Sequence, residues 1–405
     1  MSTTTDVINA QHLAPPAAVG KMRRNASVVA VIGVLLSIVG AVVWPDFFFR
    51  GYLLGYMFCL GLSLGSMALV MVGHLSGGNW WMIGRRPMEA AMRTLPLLLI
   101  GFIPIALGMK KLYIWSHSDI VAHDHVLQIK SWYLNPTGFI VRAIIYLVIW
   151  NIFAWLLTSG SAKQDVDASP DIWRRLKAIS GPGILIYGLT ITLASVDWVM
   201  SLDPHWYSTI FGMIFMISHM LSTMAFLVVI VVALSDFAPM SEVLKADRLH
   251  DMGKWMLAFT MVWAYFNFSQ WLIIWMANLP EEISWFLDRI KGGWQSVAVG
   301  LVLFQFALPF ALLLSQDLKR SARKLVPVAL LILFMRLVDL YWLIAPNPFP
   351  GNQQHHLSFN PNFVFVPLGL IGVWLTFFFW NLAQRPLLVV NEPMLPRLWE
   401  ESHGH

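Results

Sequence analysis

The chain has 405 residues, of which 58% are hydrophobic and only 12% charged, with 20 Trp and a mean hydropathy of +0.65. That balance excludes a water-soluble globular protein and defines an all-α polytopic membrane protein. The net charge of +5 gives no case for nucleic acid. A single cysteine, Cys59, leaves no disulfide, cysteine-ligated iron–sulfur cluster, CxxCH haem attachment or zinc knuckle among these residues.

In chain order, residues 1–25 are polar, carry Pro15 and Pro16 and lack an apolar core, so they read as a cytoplasmic tail and not as a signal peptide. About ten stretches long enough to cross a bilayer follow, at 26–44, 51–73, 88–109, 137–158, 180–200, 207–234, 251–277, 292–315, 325–345 and 363–382. An even number of crossings returns both termini to one side. Lys21, Arg23, Arg24, Arg85, Arg86, Arg93, Arg174, Arg175, Lys177, Lys319, Arg320 and Arg323 fall on that side. Arg50, Lys110, Lys111, Lys130, Arg289 and Lys291 fall opposite, so the basic bias places both termini in the cytoplasm.

Ionisable residues inside the spans call for a reason, because a charge at mid-helix costs about 2.5–3.5 kcal/mol on insertion scales. Arg142, Asp197, Asn267, Gln270, Arg336 and Asp339 lie in the outer half, and His219 lies near the midplane. In "FMRLVDLYWL", Arg336 and Asp339 are three residues apart and share a helix face; Asn267 and Gln270 repeat the spacing on span seven. Two readings stand: the charges neutralise each other and pin packing, or they face an interior polar site, which the number of polar groups at one depth favours.

Further along this axis, "SHMLST" puts His219, Ser222 and Thr223 on one stripe of span six. Ser63, Ser66 and His74 on span two extend it to the cytoplasmic end. A His between acids and hydroxyls suits a proton relay, its ordinary pKa being about 6.5; a lone buried His also serves as a packing partner. The expected proton pathway is therefore Asp197, Asp339, Arg336, His219, Ser222, Thr223 and His74.

Asp197 precedes Pro204 by seven residues, as Asp339 precedes Pro346, and each Asp follows a Val. A parallel repeat of spans two to five and six to nine accounts for the match. It divides the chain into a flanking helix at 26–50, four-helix bundles at 51–206 and 207–346, an outer loop and flanking helix at 347–382, and a cytoplasmic tail at 383–405. Pro96, Pro104, Pro309 and Pro367 permit kinks.

Intrinsic haem b is not expected, because axial His pairs at matching depth are missing. The loop residues His117, Asp119, His123, Asp124 and His125 lack any fixed metal-ligand spacing, as do His355, His356 and the "ESHGH" tail, so no metal site is expected. Trp80, Trp81, Trp132, Trp206, Trp275 and Trp285 read mostly as interfacial belt residues. Trp198, Trp271, Tyr341 and Trp342 have a second reading as walls of a pocket for a flat headgroup.

Three stretches, "KSWYLNPTGFIVR", "ASVDWVMSLDPHWYSTIFG" and "FNFSQWLIIWMANLPEEI", resemble the NrfD-like membrane subunits of bacterial alternative complex III, a quinol to cytochrome c oxidoreductase. Length and short termini are most similar to the smaller, ActF-type subunit. The resemblance implies two four-helix bundles with a helix at each end, in the bacterial inner membrane. It implies no cofactor in this chain, and a quinol such as menaquinol as ligand. Iron–sulfur clusters and c-type haems would belong to partners: an iron–sulfur subunit on the outer face, multihaem and monohaem cytochrome c subunits, an ActC-like paralogue and small membrane subunits in the lipid bilayer. A quinol pocket beneath the iron–sulfur subunit would draw on Asp197, Asp203, His205, Arg336 and Asp339, with Asn267, Gln270, Trp271 and Arg142 as further quinone contacts. The rival classes are a secondary transporter, which mid-membrane charges and broken helices also suit, and a scaffold whose charges are structural staples.

Overall fold

The computed structural model describes residues 13–348, 357 and 359–395. His355, His356 and the "ESHGH" tail lie outside the described residues. Among the described residues every regular element is a helix, and ten helical spans are long and apolar enough to cross a membrane. The chain is a multi-pass membrane protein.

In order, the helices are α1 (Ala17–Val43), α2 (Pro45–Ser76), α3 (Asn79–Met92), α4 (Leu95–Gly101), α5 (Ile103–Leu107), α6 (Met109–Leu112), α7 (Ser118–His123), α8 (His125–Lys130), α9 (Pro136–Gln164) and α10 (Pro170–Trp198). They continue with α11 (Phe211–Ala233), α12 (Met240–Val243), α13 (Ala246–Ala277), α14 (Pro280–Arg289), α15 (Trp294–Gly300), α16 (Leu308–Leu314), α17 (Gln316–Arg320), α18 (Ala322–Ile344) and α19 (Asn362–Leu382). Between α15 and α16 the backbone winds as a π-helix over Leu301–Ala307, so that all three form one span.

Local chemistry sets several boundaries. Asn135 caps α9, its Oδ1 accepting from Gly138 N at 2.7 Å, and Pro136 follows at the first helical position, where a missing N–H costs nothing. Ser169 and Pro170 open α10 in the same way. The third span is broken at Thr94 and at Phe102, each followed closely by a proline, Pro96 or Pro104, that cannot donate to the preceding turn. Asn278 ends α13 with φ of 50°, a left-handed cap.

Helix α2 runs through the centre, its most apolar stretch wholly buried, and packs against α3, α10, α11 and α19. Helix α11 is the second spine, touching α2, α10, α13 and α18. Around them α9 lies on α10 and α4, α13 on α16 and α17, and α18 on the π-helical stretch. Helix α1 lies on α19. The close approach is made by glycine: a Cβ on Gly33 would stand 2.5 Å from Gly369 Cα, and one on Gly65 of α2 2.4 Å from the His219 carbonyl of α11. Leu13 O accepts from Leu387 N at 2.7 Å, so the first and last described segments lie together. That end of the bundle is termed proximal, the other distal.

The third span begins at Asn79, well before the expected 88, and Trp80 and Trp81 are buried in the protein instead of lying in an interfacial belt. The reason is the charge content of "GRRPMEAAMR", which depresses hydropathy although its Arg and Glu side chains neutralise one another inside the fold.

Gly369→Leu is expected to force α1 off α19 and destabilise the protein by about 1–3 kcal/mol, in the range of overpacked cores. Gly20→Ala, with nothing within 4 Å of the new methyl, should leave stability level or slightly raised. Thermal unfolding in detergent distinguishes the two.

Candidate functional site

Asp197 and Asp339 each stand five residues before the distal end of a span, one ending at Leu202 and the other at Ile344. They belong to separate ion pairs. Asp197 is fully buried and accepts two parallel bonds from Arg142, Nε to Oδ2 and Nη2 to Oδ1, both 2.9 Å. Tyr146 Oη donates to Oδ2 at 3.0 Å. Arg142 also donates to the Tyr133 carbonyl at 2.9 Å, and its guanidinium lies 3.8 Å from the Tyr133 ring centre. Both carboxylate oxygens of this clamp are engaged, and the forked geometry makes it rigid.

The second pair is less complete. Arg336 Nη1 donates to Asp339 Oδ2, and both side chains are buried. Arg336 Nη2 has no hydrogen-bond partner among the described residues. The Trp263 indole faces the Asp339 carboxyl without closing a bond of normal geometry. On its other side the guanidinium sits 5.3 Å from the Phe215 ring, which stands perpendicular to the His219 imidazole with ring centres 6.0 Å apart. The neighbouring π-helical turns carry Gln305, buried, with Oε1 also unpartnered. Wide π turns of this kind are frequent at functional positions.

From His219 polar groups continue toward the proximal end. Tyr187 Oη stands 3.4 Å from His219 Nδ1, and Nε2 has no partner. Thr223 Oγ1 donates to Leu62 O at 3.2 Å, the same carbonyl that takes Ser66 Oγ at 2.7 Å; Ser222 Oγ donates to Ser218 O at 2.7 Å. Gly61 and Gly65 make this contact between α2 and α11 possible. After two apolar turns on α2, about 12 Å along its axis, His74 Nδ1 meets Ser180 Oγ at 3.0 Å, and its ring packs on Trp81 at 5.3 Å.

Beyond His74 lies a buried charge network that sequence reasoning missed. Arg85 bonds Glu89 at 2.9 Å, Glu392 at 2.7 Å, Ser161 at 3.0 Å and Gln164 at 2.9 Å. Arg86 holds the other Glu89 oxygen at 2.8 Å and also binds Asp165. Burial pushes the Glu392 carboxyl up from its ordinary range, partly offset by Arg85. The signal was present in the alternation of Arg and Glu at three- and four-residue spacing on α3, but those residues read as a loop flank.

The remaining expected contacts are scattered. Gln270 Oε1 accepts from Ser208 Oγ at 2.8 Å, and Asn267 Nδ2 turns back to the Trp263 carbonyl. Trp271 is partly exposed and stacks on Trp275 at 5.8 Å. His205 Nε2 meets Asp124 Oδ2 at 2.7 Å on the distal surface, with Asp203 beside it. Burial raises the Asp124 pKa, but the amides of Leu127 and Val126 and the His205 contact outweigh it and leave the carboxyl below its ordinary value. Among the described residues none of Asp203, His205, Asn267, Gln270, Trp271 and Arg142 lines the cavity that opens at the distal end between Tyr133, Met200 and Tyr207, and no group of three metal-ligating side chains occurs.

Two arginines assigned to exposed loops are in fact buried. Arg50 donates to the carbonyls of Ala345 and Pro348, and Arg289 to those of Trp342 and Leu343 and to Asn347 Oδ1. Arg289 satisfies open last-turn carbonyls of α18, the negative end of its dipole, and Arg50 the carbonyl of its capping residue and one just beyond the helix. Burial between Trp285 and Trp342 lowers the Arg289 pKa to about 9.

No family model matches the chain, and no curated protein matches it.

Asp197→Asn should destabilise the protein by about 3–5 kcal/mol, because it strands Arg142 next to the lipid phase. Arg142→Met with Asp197→Leu should recover most of that loss in the same denaturant titration. Because the Asp124 pKa is depressed on folding, its stabilising tie to His205 is present above the ordinary carboxylate pKa of about 4 and fades as pH falls through the folded value. Hydrogen exchange of residues 117–130 should therefore speed up, relative to α2, below that pH.

Proposed function

We propose that this chain is a membrane subunit of a quinol-oxidising electron-transfer complex of the alternative complex III type, and that its own part is to conduct protons. The motif resemblance supports the assembly. The incomplete Arg336–Asp339 pair, buried and aimed through Phe215 at His219, is the observation that carries the proton role. In this reading the membrane is the bacterial cytoplasmic membrane, with the termini in the cytoplasm and the ion pairs toward the outer face. Redox centres lie in partner subunits: the iron–sulfur subunit and the c-type cytochromes.

Chemically, a proton reaching Asp339 cancels the carboxylate that holds Arg336. That proton comes from His219, which is reloaded through the hydroxyls of Ser66, Thr223 and Ser222; the released guanidinium charge then drives it off Asp339 toward the outer face and restores the ion pair. Uptake from the cytoplasmic side begins at Glu89 and His74, with Arg85 holding the Glu89 carboxylate in place. Asp197, with both oxygens held by Arg142 and Tyr146, is a packing clamp and not a carrier. Quinol oxidation supplies the driving force and sends its electrons to the partners' clusters.

In the purified complex reconstituted in liposomes, Asp339→Asn is expected to keep the subunit composition while lowering turnover and abolishing net proton pumping. Normal pumping at normal turnover would sink the proton role. The rival class, a secondary transporter, would be favoured by solute-dependent uptake from the isolated chain in liposomes.

A further inference from the structure

At the distal end, a cavity of about 260 Å³ opens between the segment before α9 and the linker from α10 to α11. Its walls are Tyr133, Leu134, Val196, Met200, Trp206 and Tyr207, with Lys130 at the mouth. We infer that this cavity binds the headgroup and ester region of an anionic glycerophospholipid. The proposal stands apart from the proton reading, since none of the residues of the proton column lines the cavity.

Three observations carry it. The Lys130 ammonium has three N–H donors. One goes to the Pro204 carbonyl at 2.6 Å, and Nζ hovers 5.7 Å from the Tyr207 ring. Lys130 is half-buried, and that burial lowers its pKa despite Asp203 and Asp124 nearby, so a phosphate at the mouth would relieve an existing penalty. Second, the buried Trp206 indole N–H, held by stacking on Trp285 at 4.3 Å, has no acceptor among the described residues. The nitrogen lies just behind the cavity wall, so an ester carbonyl reaches it as the ring turns toward the ligand, a turn that relief of a costly unsatisfied donor favours. Third, the wall turns apolar along Leu134, Val196 and Met200, where acyl chains would run. Trp132, 80% exposed, and Tyr207 mark the interfacial level at which phosphates and esters lie. A cation, then a lone donor, then hydrocarbon is the polarity sequence of a phospholipid. A neutral quinone would add no charge partner to the Lys130 donors that Pro204 leaves over, and free phosphate would leave the apolar wall bare.

The test uses the full chain, within its complex if it isolates that way, stripped of lipid and titrated with phosphatidylglycerol, phosphatidylcholine or inorganic phosphate. Native mass spectrometry reads the adduct, and thermal unfolding reads the protection. The wild type is expected to retain one phosphatidylglycerol in preference to phosphatidylcholine. Lys130→Gln should weaken phosphatidylglycerol by about fivefold, the contribution of one lysine near an anionic headgroup, and leave phosphatidylcholine unchanged. Trp206→Phe should weaken both lipids alike, since both carry the ester. Equal binding of the two lipids by the wild type, which needs no variant, would overturn the proposal. So would full competition by inorganic phosphate, or displacement of the lipid by a neutral quinone.

Discussion

A charge inside a lipid-spanning bundle has to be answered by another group in contact with it, because the hydrocarbon offers neither water nor counterions. The arginines of this protein meet that demand through carboxylates or carbonyls, and the answers tie the fold together. Arg142 on α9 and Asp197 on α10 lock neighbouring helices. Arg85 and Arg86 join α3 to the end of α9 and, through Glu392, to the C-terminal segment. Arg50 and Arg289 reach from far away in the chain to the carbonyl end of α18. Removing one partner from any of these would strand a charge where solvation is expensive.

The pairs differ in how completely they are satisfied, and that difference separates structure from chemistry. Asp197 has both oxygens bound by strong donors in fork geometry, so nothing is left to exchange. The Arg336–Asp339 pair leaves one guanidinium nitrogen unbound, sits against an aromatic ring and not another carboxylate, and faces His219 across that ring. Close packing places that histidine: Gly61 and Gly65 let α11 press on α2, which brings the His219 ring, Thr223 and the Leu62 carbonyl into line. The proton reading depends on this glycine contact as much as on the acids.

Much of this was legible in the sequence. Ten spans, the shared face of Arg336 and Asp339, and the stripe of His219, Ser222 and Thr223 follow from hydropathy and helical spacing alone. What was not legible depends on contacts between distant helices. The partner of Asp197 lies 55 residues away on another helix, and no periodicity encodes which of several polar groups at one depth will meet. Gln270 found Ser208 in a linker, and Trp271 turned outward onto Trp275, so the expected cluster of outer polar residues divided. Arg50, Arg289 and the Arg85–Glu89 network were passed over for one shared reason. A charge beside an apolar stretch reads as a solvated flank unless its buried partners are known.

The central claim is that Asp339 changes its protonation as the complex works. Infrared difference spectroscopy of the reconstituted complex, taken on adding quinol, reads the carbonyl stretch of a carboxylic acid directly. The account predicts a carboxyl band in the wild type that is absent in Asp339→Asn and unaffected by substitutions at Asp197. An identical carboxyl signal in wild type and Asp339→Asn would contradict it, and would leave Arg336 and Asp339 as a staple between helices.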